Sequence, residues 1–197
     1  MIISLRRLRI FFAPLALLSL AMLAGCSRPQ FQGTDLTGAS FGGDFVLQDH
    51  HAKAHRLADD KGKVVALFFG YTHCPDVCPT TMAEYAAVMK QLGDKAKDVQ
   101  VLFVTLDPAR DTSALLAQYV PAFNPAFIGL TGTDAQIAEV AKQYKVVYQK
   151  QGEGAGYTLD HSAGSYLLDK QGHLRVLENY GAPVATLVAD LKILIEE

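Results

Sequence analysis

Two short stretches of the chain are almost wholly apolar. Val64–Phe69 (VVALFF) and Val99–Leu106 (VQVLFVTL) are rich in β-branched and aromatic residues. Runs of this length and composition predict strands buried on both faces. Between them, Met82, Tyr85, Ala86, Met89 and Leu92 recur at helical spacing within Pro79–Leu92, and Gly93 supplies the stop. Beyond Leu106, a tight turn at Asp107–Thr112 is expected to place Asp111 as the N-cap of a helix through Val120. Phe127–Leu130 reads as a short strand. Thr133 with Gln136 fits a capping box for a helix to Tyr144. Gln149–Thr158 carries three glycines and is expected as a mobile loop. Ser165–Leu168, a turn at Asp169–Gly172 and His173–Asn179 form a hairpin, and Pro183 suits the first turn of a last helix ending near Ile195. Upstream, Asp44–Gln48 reads as a short strand and Asp49–Arg56 as a hairpin turn. Buried strands alternating with helices imply an α/β three-layer sandwich, a central β-sheet flanked by helices.

Polarity changes abruptly at the N-terminus. Arg6, Arg7 and Arg9 precede an apolar segment, Ile10–Met22, that is short for a membrane span. It runs into Leu23-Ala24-Gly25-Cys26, which resembles a bacterial lipobox. Residues 1–25 are therefore expected to be a lipoprotein signal peptide, with Cys26 the lipidated first residue of the mature chain. Residues 26–43, polar and rich in Gly, Ser and Thr, are expected as a flexible tether to a folded domain over 44–197. The formal charge of the whole chain is −2. Without residues 1–25, fifteen basic residues face twenty acidic ones, a charge of −5. No basic stripe points to nucleic acid.

The chemistry is concentrated after the first apolar run. Cys74 and Cys78 follow it in Cys-Pro-Asp-Val-Cys, where a helix opens. Pro79 would clash inside a regular helix, so Cys74–Cys78 is expected to be an irregular turn with the helix starting at Pro79. Helix N-termini lower thiol pKa values, which suits both sulfurs to soft metals or to disulfide exchange. Reactive cysteines that follow a central strand and open a helix resemble the thioredoxin-like fold. With Cys26 acylated, Cys74 and Cys78 remain as the pair available for a disulfide in an oxidising compartment. His161 precedes a strand that should lie beside Val64–Phe69, which brings it within reach of the cysteine turn. Two thiolates and an imidazole select Cu(I) and tolerate Cu(II). Asp160 is a candidate to orient His161, and Asp76 to adjust the charge of the site. His50, His51 and His55 read as a wet turn, His73 as a solvated neighbour of Cys74, and Met82 and Met89 as core. Asp107, Arg110 and Asp111 read as a turn with a cap and an ion pair.

Three segments carry a resemblance. GYTHCPDVCPTT, VTLDPARDT and YTLDHSAGSYLLD occur in order and resemble three blocks of the Sco/SenC family. The resemblance runs from about Phe41 to the C-terminus. It implies a membrane-tethered, thioredoxin-like copper protein that assembles the copper centre of a haem–copper cytochrome c oxidase. It implies one copper, Cu(I) or Cu(II), on Cys74, Cys78 and His161. The implied partners are the copper-bearing oxidase subunit, a copper donor chaperone, a thioredoxin-like reductant, and membrane lipid through Cys26. The implied location is the bacterial cell envelope, with the domain in the periplasm. The main competing role is a thiol–disulfide reductase, in which Cys74 and Cys78 are a catalytic redox pair and His161 is dispensable. A peroxidase fits less well, because the two cysteines leave no separated resolving thiol. A disulfide-stapled lipoprotein without metal is the plainest alternative.

Overall fold

A computed structural model describes residues 30–197. The expected signal peptide over 1–25 and the expected lipidation site Cys26 lie outside the described residues. In chain order the elements are β1 (Thr34–Asp35), β2 (Val46–Asp49), β3 (Ala54–Arg56), β4 (Val64–Gly70), α1 (Val77–Leu92), β5 (Val99–Thr105) and α2 (Ser113–Tyr119). There follow β6 (Ile128–Thr131), α3 (Asp134–Gln143), β7 (Tyr148–Gln151), β8 (Thr158–His161), β9 (Ser165–Leu168), β10 (Leu174–Glu178) and α4 (Val184–Glu196). Eight strands form one mixed sheet in the order β1-β10-β9-β4-β5-β6-β2-β3.

The two apolar runs lie side by side at its centre. β4 and β5 pair in parallel from Val64↔Val99 to Gly70↔Thr105, and every residue of both is buried. Strands covered on both faces need no polar alternation, which is why they read as continuous apolar runs. Ser165–Leu168 does pair with β4, antiparallel, as expected.

The connections β4–α1–β5 and β5–α2–β6 step in one direction, and right-handed crossovers then put α1 and α2 on one face. Phe68 and Phe103 meet there at 5.9 Å with their rings tilted, and Tyr119 of α2 meets Phe103 at 5.8 Å. α4 packs on α1. The opposite face carries Phe69 and Tyr166, which meet Tyr144 at the end of α3. This is the three-layer α/β sandwich expected, with two thiols at the end of its central strand.

Several boundaries differ from the expectation, each for a local reason. α1 begins at Val77, not Pro79. Pro79 occupies the first turn, where its missing N–H has no partner to lose, and Pro75 lies outside the helix, so no carbonyl clash arises. Thr112, not Asp111, caps α2, its hydroxyl accepting from the Leu115 N–H. The Thr133–Gln136 capping box on α3 is present. Pro183 is the N-cap of α4 and lies just before its first turn. The expected loop over 149–158 is largely a hairpin, in which β7 and β8 form a separate two-stranded sheet. Its glycines make the turn, Gly152 and Gly154 having φ of +84° and +68°.

The expected tether is also shorter than residues 26–43. Phe31, Leu36, Ala39 and Phe41 pack against the core, and β1 adds to the sheet edge at β10. The N–H groups of Gln32 and Gly33 donate to the buried carboxylate of Asp190 at 2.8–3.0 Å. Gly33 is needed at that point, since a Cβ there would lie 2.6 Å from Val176.

Glu178 is buried beside this clasp. Burial, followed by the hydrogen bond and negative charge of Asp190, pushes its carboxyl up to about 8 from an ordinary 4.5. An acid with a raised folded-state pKa contributes fully below its unfolded value and loses that contribution as pH rises through the folded one. Wild type should therefore lose stability relative to Glu178→Gln as pH rises from about 5 to beyond 8. Thermal unfolding of both proteins at pH 5 and pH 9 checks this. The Tm difference should move in favour of the variant at pH 9, and a constant difference contradicts the assignment.

Candidate metal centre

The loop after β4 is fixed before the cysteines are reached. Tyr71 is buried and its carbonyl accepts from the Cys74 N–H at 3.3 Å. Thr72 donates to Asp111 twice, from its N–H at 2.9 Å and its hydroxyl at 2.6 Å. Asp111 is fully buried and takes a third bond from the Thr105 hydroxyl at 2.6 Å, at the end of β5. One carboxylate therefore pins the cysteine loop to the neighbouring strand. Its burial is sustained by three donors.

Cys74 is half-buried in this loop, and Cys78 is fully buried in the first turn of α1. Cys78 fits because residue 70 is glycine: a Cβ there would stand 2.8 Å from the Cys78 sulfur. Both cysteines are free thiols, so the disulfide expected between them is not formed in this structure.

His161 arrives from the end of β8. Its ring lies edge-on to Tyr71 at 6.0 Å and to Phe68 at 6.4 Å. Its Nδ1 is 2.9 Å from the Ser162 carbonyl. A carbonyl only accepts, so Nδ1 carries the proton and the Nε2 lone pair faces the cysteines. Nε2 is 3.6 Å from the Cys78 sulfur, and the two sulfurs and this nitrogen all lie within 4.8 Å of one another.

The three groups differ in protonation. Burial pushes the Cys74 thiol up, but the N–H groups of Asp76, Cys78 and Val77, together with the Cys78 thiol, outweigh it, so its pKa is lowered. Burial dominates at Cys78, and the neighbouring Cys74 adds to it, so that thiol stays protonated far above neutrality. Burial lowers the pKa of His161, against the opposing pulls of the Ser162 carbonyl and the Asp160 charge. The site thus pairs a thiol that ionises more readily than usual with a buried thiol that resists ionisation and an imidazole whose protonation burial disfavours. A soft cation suits that set, because its charge stabilises the second thiolate that burial disfavours, with release of a proton.

The candidates around the site are rearranged. Asp160 does not orient His161. Its exposed carboxylate accepts from Gln151 Nε2 at 2.8 Å, and the Ser162 carbonyl holds the ring instead. Asp76 is the N-cap residue, and its exposed carboxylate lies 3.4 Å from the Thr80 hydroxyl. It acts on the site through its backbone N–H to Cys74. His73 is exposed, with its Nδ1 3.0 Å from the Thr72 hydroxyl. His50 is buried, not wet: it accepts from the Gly129 N–H at 2.9 Å. His55 pairs with Asp60 at 2.8 Å. Met82 and Met89 are core, as expected. The expected Asp107–Arg110 ion pair is present. The role of Tyr157, whose hydroxyl donates to Asp107 at 2.6 Å, was not foreseen. A lone tyrosine beside three glycines carries no spacing signal that links it to a turn 47 positions upstream.

The family model described as SCO1/SenC matches residues 33–196, nearly the whole of the described chain. The chain belongs to the SCO1/SenC family. This SCO1/SenC protein is 44% identical over 134 residues to the mitochondrial SCO2 homolog of Bos taurus, covering 66% of this chain and 50% of that protein. It is 38% identical over 134 residues to the SCO2-like protein of Rickettsia felis, covering 66% and 65% respectively. It thus spans about half to two thirds of the length of these relatives. Among solved structures it is similar to Bradyrhizobium japonicum ScoI with copper bound, at 40% identity and a TM-score of 0.73, covering 79% of this chain and 99% of that one. It is also similar to yeast Sco1 with copper bound, at 30% identity and a TM-score of 0.73, covering 80% and 90%.

The thiol asymmetry in this SCO1/SenC protein has a direct readout. Alkylation of the metal-free, reduced protein between pH 6 and 9, followed by peptide mapping, should label Cys74 first at every pH. Cys78 should react only slowly while the fold persists. Equal rates at the two positions contradict the geometry.

Proposed function

We propose that this protein is a copper metallochaperone that delivers copper to the copper centre of a haem–copper cytochrome c oxidase. Copper is its cargo. The observation that carries the reading is the convergence of two sulfurs and one imidazole nitrogen within 4.8 Å, from three separate pieces of the fold. The family relationship supports it, since similar Sco structures from Bradyrhizobium japonicum and yeast are described with copper bound. Cys74 meets incoming copper as a thiolate, Cys78 closes the site on losing its proton, and His161 completes it through Nε2. Transfer proceeds by stepwise exchange of these ligands for cysteine thiolates on the copper-bearing oxidase subunit. In this reading lipid at Cys26 holds the domain at the outer face of a bacterial membrane, where a copper donor and a thioredoxin-like reductant serve it.

One observation favours the reductase reading as well. A half-buried cysteine whose pKa is lowered, beside a buried one whose pKa is raised, is the arrangement of an attacking and a resolving cysteine. The Cys74 thiolate would attack a partner disulfide and release one partner thiolate. Cys78 would then displace the second, leaving Cys74–Cys78 oxidised and the partner dithiol reduced.

Competition titration of Cu(I) against a chromophoric chelator, beside a thiol redox titration, separates the two. Cys74→Ala should abolish both tight copper binding and disulfide formation. His161→Ala should weaken copper binding by more than the roughly 10–100-fold typical of an outer-shell change while leaving the Cys74–Cys78 couple intact. Wild-type copper affinity in His161→Ala would remove the imidazole from the site and favour the reductase.

A further inference from the structure

The hairpin that carries His161 shares no strand pairing with the eight-stranded sheet. At its base the Ser162 N–H donates to the Val147 carbonyl at 2.9 Å, and Leu159 is buried in the core. At its other end Tyr157, just before β8, meets the turn that follows β5. The Tyr157 hydroxyl donates to Asp107 Oδ1 at 2.6 Å. Asp107 Oδ2 accepts from Arg110 Nε. Arg110 Nη1 donates to the Tyr157 carbonyl at 2.9 Å, and its guanidinium lies 3.6 Å from the centre of the Tyr157 ring. The same guanidinium is 5.8 Å from the ring of Tyr71, against which His161 lies edge-on. Arg110 therefore stands between the cysteine side of the site and the histidine side.

The turn does not need this side chain to close. The N–H groups of Arg110 and Asp111 donate to the Asp107 carbonyl at 3.2 and 2.9 Å, and Thr105 and Thr72 hold Asp111. The guanidinium instead bridges the two elements, its Nε on Asp107 and its Nη1 and stacking face on Tyr157 of the hairpin, a planar fork and a face that a lysine cannot supply together. We propose that Arg110 is a positioning residue which, with Asp107 and Tyr157, latches the His161 hairpin over the cysteine pair. With the latch closed, Nε2 is held at ligand distance. With it open, the cysteines keep their places, because Asp111 and Gly70 fix them independently, and His161 becomes the ligand released first. The consequence for copper rests on the chaperone reading above; the mechanical claim does not.

The test uses Arg110→Ala and Tyr157→Phe, each alone and combined with His161→Ala. Tyr157→Phe keeps the stacked ring and removes only the hydroxyl, so it decides the matter even if Arg110→Ala folds poorly. Amide hydrogen exchange over 158–161 is measured on metal-free protein, and Cu(I) competition on the same samples. Exchange should quicken in both single variants. Copper affinity should fall about 10–100-fold in Arg110→Ala, the range for residues that hold a ligand, and less in Tyr157→Phe. In the His161→Ala background neither change should move affinity by more than about twofold, the scatter within which independent sites add. The Cys74–Cys78 redox midpoint should stay where it is in wild type. Unchanged exchange in both variants overturns the latch. An equal loss of affinity with and without His161 also overturns it, because the substitutions would then act on the cysteines or the fold. If wild type itself binds no copper through His161, the chaperone reading fails, and the exchange arm alone still decides the latch.

Discussion

The site depends on one buried carboxylate. Asp111 has no exposed surface and accepts from the Thr72 N–H, the Thr72 hydroxyl and the Thr105 hydroxyl. A carboxylate in that position is tolerable only while its donors are in place. It therefore locks the loop after β4 to the end of β5, in the register set by the parallel pairing of the two central strands. The Thr105 hydroxyl also accepts from the Asp107 N–H at 2.9 Å, so the turn that reaches the histidine hairpin grows from the same knot. Cysteines on one side and histidine on the other are placed by a single polar cluster at the end of the central pair.

That rigidity makes an unequal pair of sulfurs useful. Backbone N–H groups converge on Cys74 and lower its pKa, whereas burial keeps Cys78 protonated. A protein that takes up a soft ion and gives it away benefits from one thiol that ionises readily and one that ionises only when a cation arrives. The same inequality would serve thiol exchange, which is why the histidine separates the two roles. A metal site needs the imidazole nitrogen 3.6 Å from the buried sulfur as a ligand, whereas the two cysteines can form their disulfide without it.

What was legible in the sequence followed from how strongly local chemistry is encoded. β4 and β5 announce themselves because strands covered on both faces need no alternation, and the Thr133–Gln136 box is a contact between near neighbours. The cysteine pair was visible from spacing, while His161 needed the fold and the family resemblance to bring it 83 positions back to Cys78. β1 left no trace because it is a two-residue exposed edge, held by amides that reach Asp190 across 157 positions or more. β7 and β8 are mostly exposed and have no apolar stripe beyond Leu159. Asp111 looked like a helix cap because a carboxylate one residue early reads the same whether it faces helix N–H groups or a neighbouring loop. Asp160 looked like the orienting group for His161, but a backbone carbonyl next in the chain does that work, and no side chain signals it.

The proposed function requires Cys74, Cys78 and His161 to hold one copper ion together. X-ray absorption at the copper edge of the singly loaded Cu(I) protein tests it most directly, with His161→Ala beside it. Two sulfur ligands and one imidazole nitrogen are expected in wild type, with the nitrogen scattering lost in the variant. Sulfur-only coordination in wild type, or a spectrum that His161→Ala leaves unchanged, would contradict it.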